Sequence, residues 1–213
     1  MEKKTILATR PDFELTTKYI SSWAKKVLDF AQEKEVVVFD LDKEKANRQE
    51  LEAVIREQSP DFIFLNGHGD YDKVCGQNNE CLVGANDNEE ILSGKVVYAL
   101  SCRSAGILGK KAVEKGALSY IGYTEDFIFL YDEKQKSFPL QDKIAELFLS
   151  PSNQVVLSLL EGCSGQEASQ NSKESFLANT KKLLTSEAPK EQKGIVRYLL
   201  WDRHHQACWE KKE

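Results

Sequence analysis

Along its first 123 residues the chain alternates between two kinds of hydrophobic pattern. Short apolar runs recur at residues 5–9 (TILAT), 35–41 (EVVVFDL), 61–66 (DFIFLN), 95–100 (KVVYAL) and 117–123 (ALSYIGY). Each has the length of a strand, and none shows the in-out alternation of a sheet with one wet face. Between them the apolar residues keep helical spacing. Leu15, Tyr19, Ile20, Trp23, Val27 and Phe30 make one stripe in residues 13–32, and Leu51, Val54 and Ile55 make another in residues 45–58. A further helix is expected from about residue 105 to 115. Buried-type strands separated by amphipathic helices predict an α/β doubly wound domain: a mainly parallel sheet with helices on both faces.

The alternation breaks twice. Residues 73–94 (KVCGQNNECLVGANDNEEILSG) place Val74 and Cys75, then Cys81 to Val83, on either side of a Gly and Asn turn, which predicts a small β-hairpin followed by one helical turn. Cys75 and Cys81 are cross-strand neighbours in that hairpin. After Tyr123 a loop rich in aromatic and charged residues, 124–138 (TEDFIFLYDEKQKSF), leads to helical patterns around residues 140–149, 154–160, 174–184 and 190–209. The expected division is a core over residues 1–135 and a helical C-terminal extension over 136–213, packed on the same domain.

Composition narrows the function. The net charge of -5 comes without a long basic block, which argues against direct nucleic-acid binding. The apolar stretch near the N-terminus is too short for a signal peptide, and no segment approaches the ~20 apolar residues of a membrane span. A cytoplasmic protein without membrane contact is expected, and its five cysteines are expected to be reduced.

The candidate chemistry lies where two strands end. His68 stands between Gly67 and Gly69 at the carboxyl end of the third strand, and Cys102 closes the fourth. Ligands of open parallel sheets collect at that end, and adjacent strands are ~5 Å apart, so an imidazole and a thiol would share one cleft. A cysteine with an ordinary pKa needs help to act as a nucleophile. Here the expected help is a helix start just after Cys102, with Arg103 beside it. The Gly69 and Cys102 N–H groups are candidates for an oxyanion hole. A strand-end cysteine alone is usually a small buried apolar residue, and a lone histidine a turn residue. The joint pattern is far more selective.

His204 and Cys208 are spaced like one helical turn, with His205 between, but no cysteine pair at zinc spacing accompanies them; a solvated helix end is the simpler reading. No glycine-rich phosphate loop, GxSxG elbow or HExxH occurs, so neither a cofactor nor a metal is called for.

The stretches FIFLNGHGD, VVYALSC and GALSYIGY together resemble the catalytic core of the caspase-like cysteine peptidases, the group of caspases, metacaspases, gingipains, clostripain, separase and the CHAT-domain proteases. The resemblance spans about residues 4–131. It implies a caspase-like version of the doubly wound fold, His68 and Cys102 as catalytic dyad, and Gly69 as an oxyanion donor. SCRSAG stands where caspases carry Gln-Ala-Cys-x-Gly, which puts the chain nearer the bacterial CHAT and gingipain-like branches. The implied activity is that of a cysteine endopeptidase in a regulated bacterial cytosolic pathway, with a protein or peptide substrate and room for a regulatory protein partner. The alternative is a catalytically silent member that binds or regulates.

The resemblance also makes residues 124–140 the activation loop, with an exposed, mobile tip at 132–136. It builds the pocket for the residue before the cut from the loops after the first and fifth strands, residues 9–14 and 123–127. These carry Arg10 against Asp12, Glu14, Glu125 and Asp126. By charge count the pocket prefers Lys or Arg, with Asp126 leading and Asp12 second; a caspase-like Arg10 would reverse that preference.

Overall fold

A computed structural model describes residues 4–187 and 189–211. In chain order β1 (Thr5–Arg10), α1 (Leu15–Glu33), β2 (Val37–Asp42), α2 (Arg48–Gln58) and β3 (Phe62–Asn66) come first. A small unit of β4 (Gly69–Asp70), β5 (Lys73–Cys75) and β6 (Cys81–Gly84) follows. Then come β7 (Val96–Leu100), α3 (Leu108–Glu114), β8 (Ser119–Tyr123), α4 (Lys143–Leu160), α5 (Gly165–Leu183), α6 (Val196–His205) and β9 (Gln206–Glu210). The main sheet has six strands in the order β2-β1-β3-β7-β8-β9. All its pairings are parallel except β8 with β9. The structure is therefore α/β with a mostly parallel central sheet, as the continuous apolar runs require.

Each strand divides its side chains between two layers. Ile6, Ala8, Phe62, Phe64 and Tyr98 face α1 and α4, whereas Leu7, Ile63, Leu65, Val97 and Ala99 face α2 and α3. The Phe64 and Tyr98 rings stack across β3 and β7 at 5.2 Å. Trp23, almost wholly buried, locks α1 in place: its Nε1 donates to Pro139 O at 3.1 Å, and Asn153 Nδ2 donates to Trp23 O at 2.9 Å.

Two C-terminal elements differ from the expectation. The patterns at 140–149 and 154–160 form the single helix α4, which runs straight through Pro151. A proline there has no N–H for the carbonyl four residues back, that of Leu147. Asn179 Nδ2 from α5 supplies the missing donor at 2.9 Å. The helix expected over 190–209 stops at His205, and β9 runs antiparallel along β8, from Gln206 opposite Tyr123 to Glu210 opposite Ser119. Gln206 is buried and donates to Ser172 Oγ at 2.9 Å, and Trp209 Nε1 donates to Ala105 O at 2.7 Å. Those partners are remote in sequence, and they outweigh the local helical pattern. His204 and Cys208 consequently do not share a helical turn: the first ends α6 and the second lies in β9.

Arg10, at the carboxyl end of β1, is buried and saturated. It donates to Asp40 at 2.7 and 2.9 Å and to Ser21 Oγ at 3.1 Å, and its Nη2 lies 3.1 Å from Asp42. Arg10→Ala strands these carboxylates and is expected to cost about 2–4 kcal/mol in urea unfolding. Arg10→Lys, lacking the planar fork, should recover only part of that.

Candidate active site

The register of β3 and β7 positions the two candidate groups. Asn66 pairs with Leu100, an offset of 100 - 66 = 34, and the same offset leads from His68 to Cys102. Beyond the paired residues the two chains stay in touch. A Cβ on Gly69 would lie 2.0 Å from Ser101 Oγ and 2.9 Å from Cys102 O, so only glycine fits against that segment. Gly67 has φ 145 and would collide with Cys75 O at 2.0 Å if it carried a Cβ. The His68 carbonyl accepts from Ser101 Oγ at 2.9 Å and from Cys75 N at 2.8 Å, so β5 and β7 hold the histidine backbone between them. Gly69 and Val74 are a pair whose own amides the ladder leaves unused. Neither the Gly69 nor the Cys102 N–H donates to a protein acceptor among the described residues.

The histidine has a carboxylate partner. His68 Nε2 meets Glu14 Oε1 at 2.5 Å. Glu14 is set at the start of α1 by Thr17, whose Oγ1 accepts from the Phe13 and Glu14 amides at 3.1 Å each. A carboxylate on Nε2 selects the tautomer protonated there and leaves Nδ1 as the ring's basic nitrogen. Both side chains are partly exposed, 37% and 44%, so the pair's role is orientation more than stability. Glu14 is expected only as one of the carboxylates of the pocket loop; the structure sets it against the histidine instead.

Cys102 is not primed as its sequence context suggests. Helix α3 begins at Leu108, too far along the chain for its first turn to act on the thiol. Burial pushes the Cys102 pKa up to about 11, opposed by a hydrogen bond from the Phe127 backbone and by Arg103, with Asp126 adding to the rise. With its pKa raised this far the thiol is held overwhelmingly in its protonated form at pH 7. The cover is the segment 124–131, whose Phe127 carbonyl accepts from the Cys102 thiol at 3.9 Å.

That segment is strapped down along its length. Thr124 N donates to His205 O at 2.9 Å, Trp201 Nε1 to Asp126 O at 2.9 Å, and Ile128 N to Asp202 Oδ1 at 2.9 Å. Phe127 packs on Tyr123 at 4.8 Å, and Phe129 and Tyr131 pack on Tyr19 at 5.6 and 5.5 Å. Asp202 is fully buried, its Oδ2 has no hydrogen-bond partner among the described residues, and desolvation raises its pKa well above the ordinary value. At the tip, Glu133 and Lys134 are exposed, while Asp132 N is tied to Asp142 at 2.8 Å.

The side chains of Asp126, Glu125 and Arg10, three of the pocket candidates, are already engaged. Asp126 binds Arg103 at 2.8 Å, and Arg103, with φ 58, lies over the Tyr71 ring at 5.5 Å. Glu125 accepts from Tyr71 O–H at 3.4 Å. The Asp12 amide bonds Gln77 Oε1 at 2.9 Å, and Arg10 is consumed by Asp40 and Asp42. Among the described residues no group of three or more His, Cys, Asp or Glu could hold a metal ion, and no helix is long and apolar enough to cross a membrane. No protein-family model matches the chain, and neither does any curated protein.

Releasing the strap should expose the thiol. Asp202→Ala removes the acceptor of the Ile128 amide, a loss of about 1–3 kcal/mol, and is expected to speed alkylation of Cys102 by iodoacetamide about tenfold at pH 7. Asp202→Asn keeps an acceptor oxygen and should stay near wild type. In the wild type the alkylation rate should climb with pH up to about 11, where the buried thiol titrates.

Proposed function

We propose that the chain is a caspase-like cysteine endopeptidase held in a closed resting state. The observation that carries this reading is the convergence of a carboxylate-oriented imidazole and a thiol at the ends of adjacent, in-register parallel strands. With the strap lifted, Cys102 loses its burial and its pKa falls toward the ordinary range. His68 Nδ1 takes the thiol proton as Sγ attacks the scissile carbonyl, then passes it to the departing amine. Water releases the acyl group from Sγ in the second half of the cycle. The unused Gly69 and Cys102 N–H groups supply the oxyanion donors, and Glu14 keeps the imidazole in one tautomer. A protein or peptide is the substrate, and a partner protein that displaces the 124–131 strap is the activator.

The half-buried thiol with its raised pKa favours a second reading, a silent module whose cleft or C-terminal helices hold a partner. A covalent peptide probe aimed at cysteine separates the two, because a silent module leaves Cys102 unlabelled in the presence of the activating partner.

Cys102→Ala and His68→Ala are each expected to abolish peptide cleavage with little change in melting temperature, and retained cleavage in Cys102→Ala would refute the mechanism. Glu14→Gln should lower kcat by roughly 10- to 100-fold while leaving KM near wild type, since it positions the base without touching substrate. For the residue before the cut, a basic side chain requires Asp126 to leave Arg103. Matched peptides ending in Arg, Lys, Leu or Asp should be cut best after Arg or Lys, with that preference lost in Asp126→Ala. A preference for Asp would transfer the pocket to Arg103 or Arg10.

A further inference from the structure

Cys75 and Cys81 face each other across β5 and β6, at a bulge between Val74 and Cys75. The Gly76 amide donates to Glu80 O at 2.8 Å, just outside the pair, which makes Cys75 and Cys81 a non-hydrogen-bonded pair. In such pairs opposed Cα atoms are about 4.5 Å apart and side chains point to one face, within the span of about 4.4–6.8 Å that a disulfide bridges. The connecting turn is set by left-handed Asn78 and Asn79, φ 54 and 63. Both thiols are free; Cys75 is buried, and Cys81 is half-exposed. The other three cysteines have different neighbours: Cys208 is opposite Ile121, the Cys102 thiol meets Phe127 O, and Cys163 Sγ accepts from Asn171 Nδ2 at 3.9 Å.

We propose that Cys75 and Cys81 are a modification site, a reversible intrachain disulfide formed by a small-molecule disulfide such as oxidised glutathione. Cys81, the reachable thiol, attacks the oxidant as thiolate, forming a mixed disulfide and releasing one glutathione. Cys75 as thiolate then attacks Cys81 Sγ, closing the S–S bond and releasing the second. Two protein thiols are oxidised and one glutathione disulfide is reduced to two thiols. Burial raises the pKa of both cysteines, which makes the exchange slow and ties it to sustained oxidising conditions instead of brief exposure. The same strand holds the candidate site: Cys75 N donates to His68 O, and Cys75 O lies against Gly67. The bridge therefore stiffens the backbone that carries His68. The disulfide itself does not depend on the peptidase reading.

Both cysteines fall on one tryptic peptide, residues 74–95, so closure appears as the loss of two hydrogens from that peptide. The full chain would be equilibrated with oxidised and reduced glutathione at a tenfold excess of the oxidised form, alkylated and mapped by mass spectrometry. The expected result is the bridged peptide, restored to two alkylated thiols by dithiothreitol, with amide exchange across residues 67–76 about tenfold slower when oxidised. Cys75→Ala should stop at the glutathione adduct on Cys81. The proposal is overturned if wild-type Cys81 also stops at that adduct, bridges to another cysteine, or remains alkylatable. Unchanged exchange at residues 67–76 would overturn the link to His68.

Discussion

The parallel pairing of β3 with β7 is the constraint on which the cleft depends. Both strands are buried on both faces, and a slip of one residue would turn Phe64 and Tyr98 into the layer built for Leu65 and Ala99. The packing thus admits one register, and that register carries His68 and Cys102 to the same end of neighbouring strands. The outer end of β3 is pinned a second time: Asn66 donates through Nδ2 to Thr9 O at 2.8 Å and through its amide to Thr9 Oγ1 at 2.9 Å, all buried. The turn that follows can be sharp because Gly67 and Gly69 leave room where backbone from β5 and the Ser101 side chain press in.

Two demands compete at Cys102. A nucleophilic thiol wants water, positive charge and a base; the strap of residues 124–131 gives it burial and a carbonyl instead. Each tie on the strap is worth only about 1 kcal/mol net. Together with the aromatic packing of Phe127, Phe129 and Tyr131 they keep the cover down. Asp202 is the costliest of these ties, because it buries a carboxyl with one oxygen unpartnered among the described residues. The charged groups nearby are held in contacts of their own, Arg103 with Asp126 and Glu14 with the His68 ring.

How much was legible follows from range. The five parallel strands and their helices were readable because burial on both faces writes an uninterrupted apolar run, and burial on one helix face writes a stripe, each within a dozen residues. His68-Gly69 and Cys102 were readable as strand-end residues for the same reason. The packing of residues 127–131 is not legible, because Phe, Ile, Phe, Leu and Tyr beside charged residues carry no sign of what they pack on; Phe129 and Tyr131 pack on Tyr19, and Phe127 on Tyr123.

By itself the sequence determined the layering of the sheet, the carboxyl-end position of the histidine and the cysteine, and the hairpin that opposes Cys75 to Cys81. Only the tertiary structure decided that α4 continues through Pro151, that residues 206–210 form β9, that Glu14 meets His68 and that Asp202 fastens the cover over Cys102. Local pattern reports how strongly a residue prefers burial and at what period, but not which partner it meets. A proline's missing donor, a sheet edge and a buried carboxyl are each satisfied by a group tens of residues away, and that choice is made by packing.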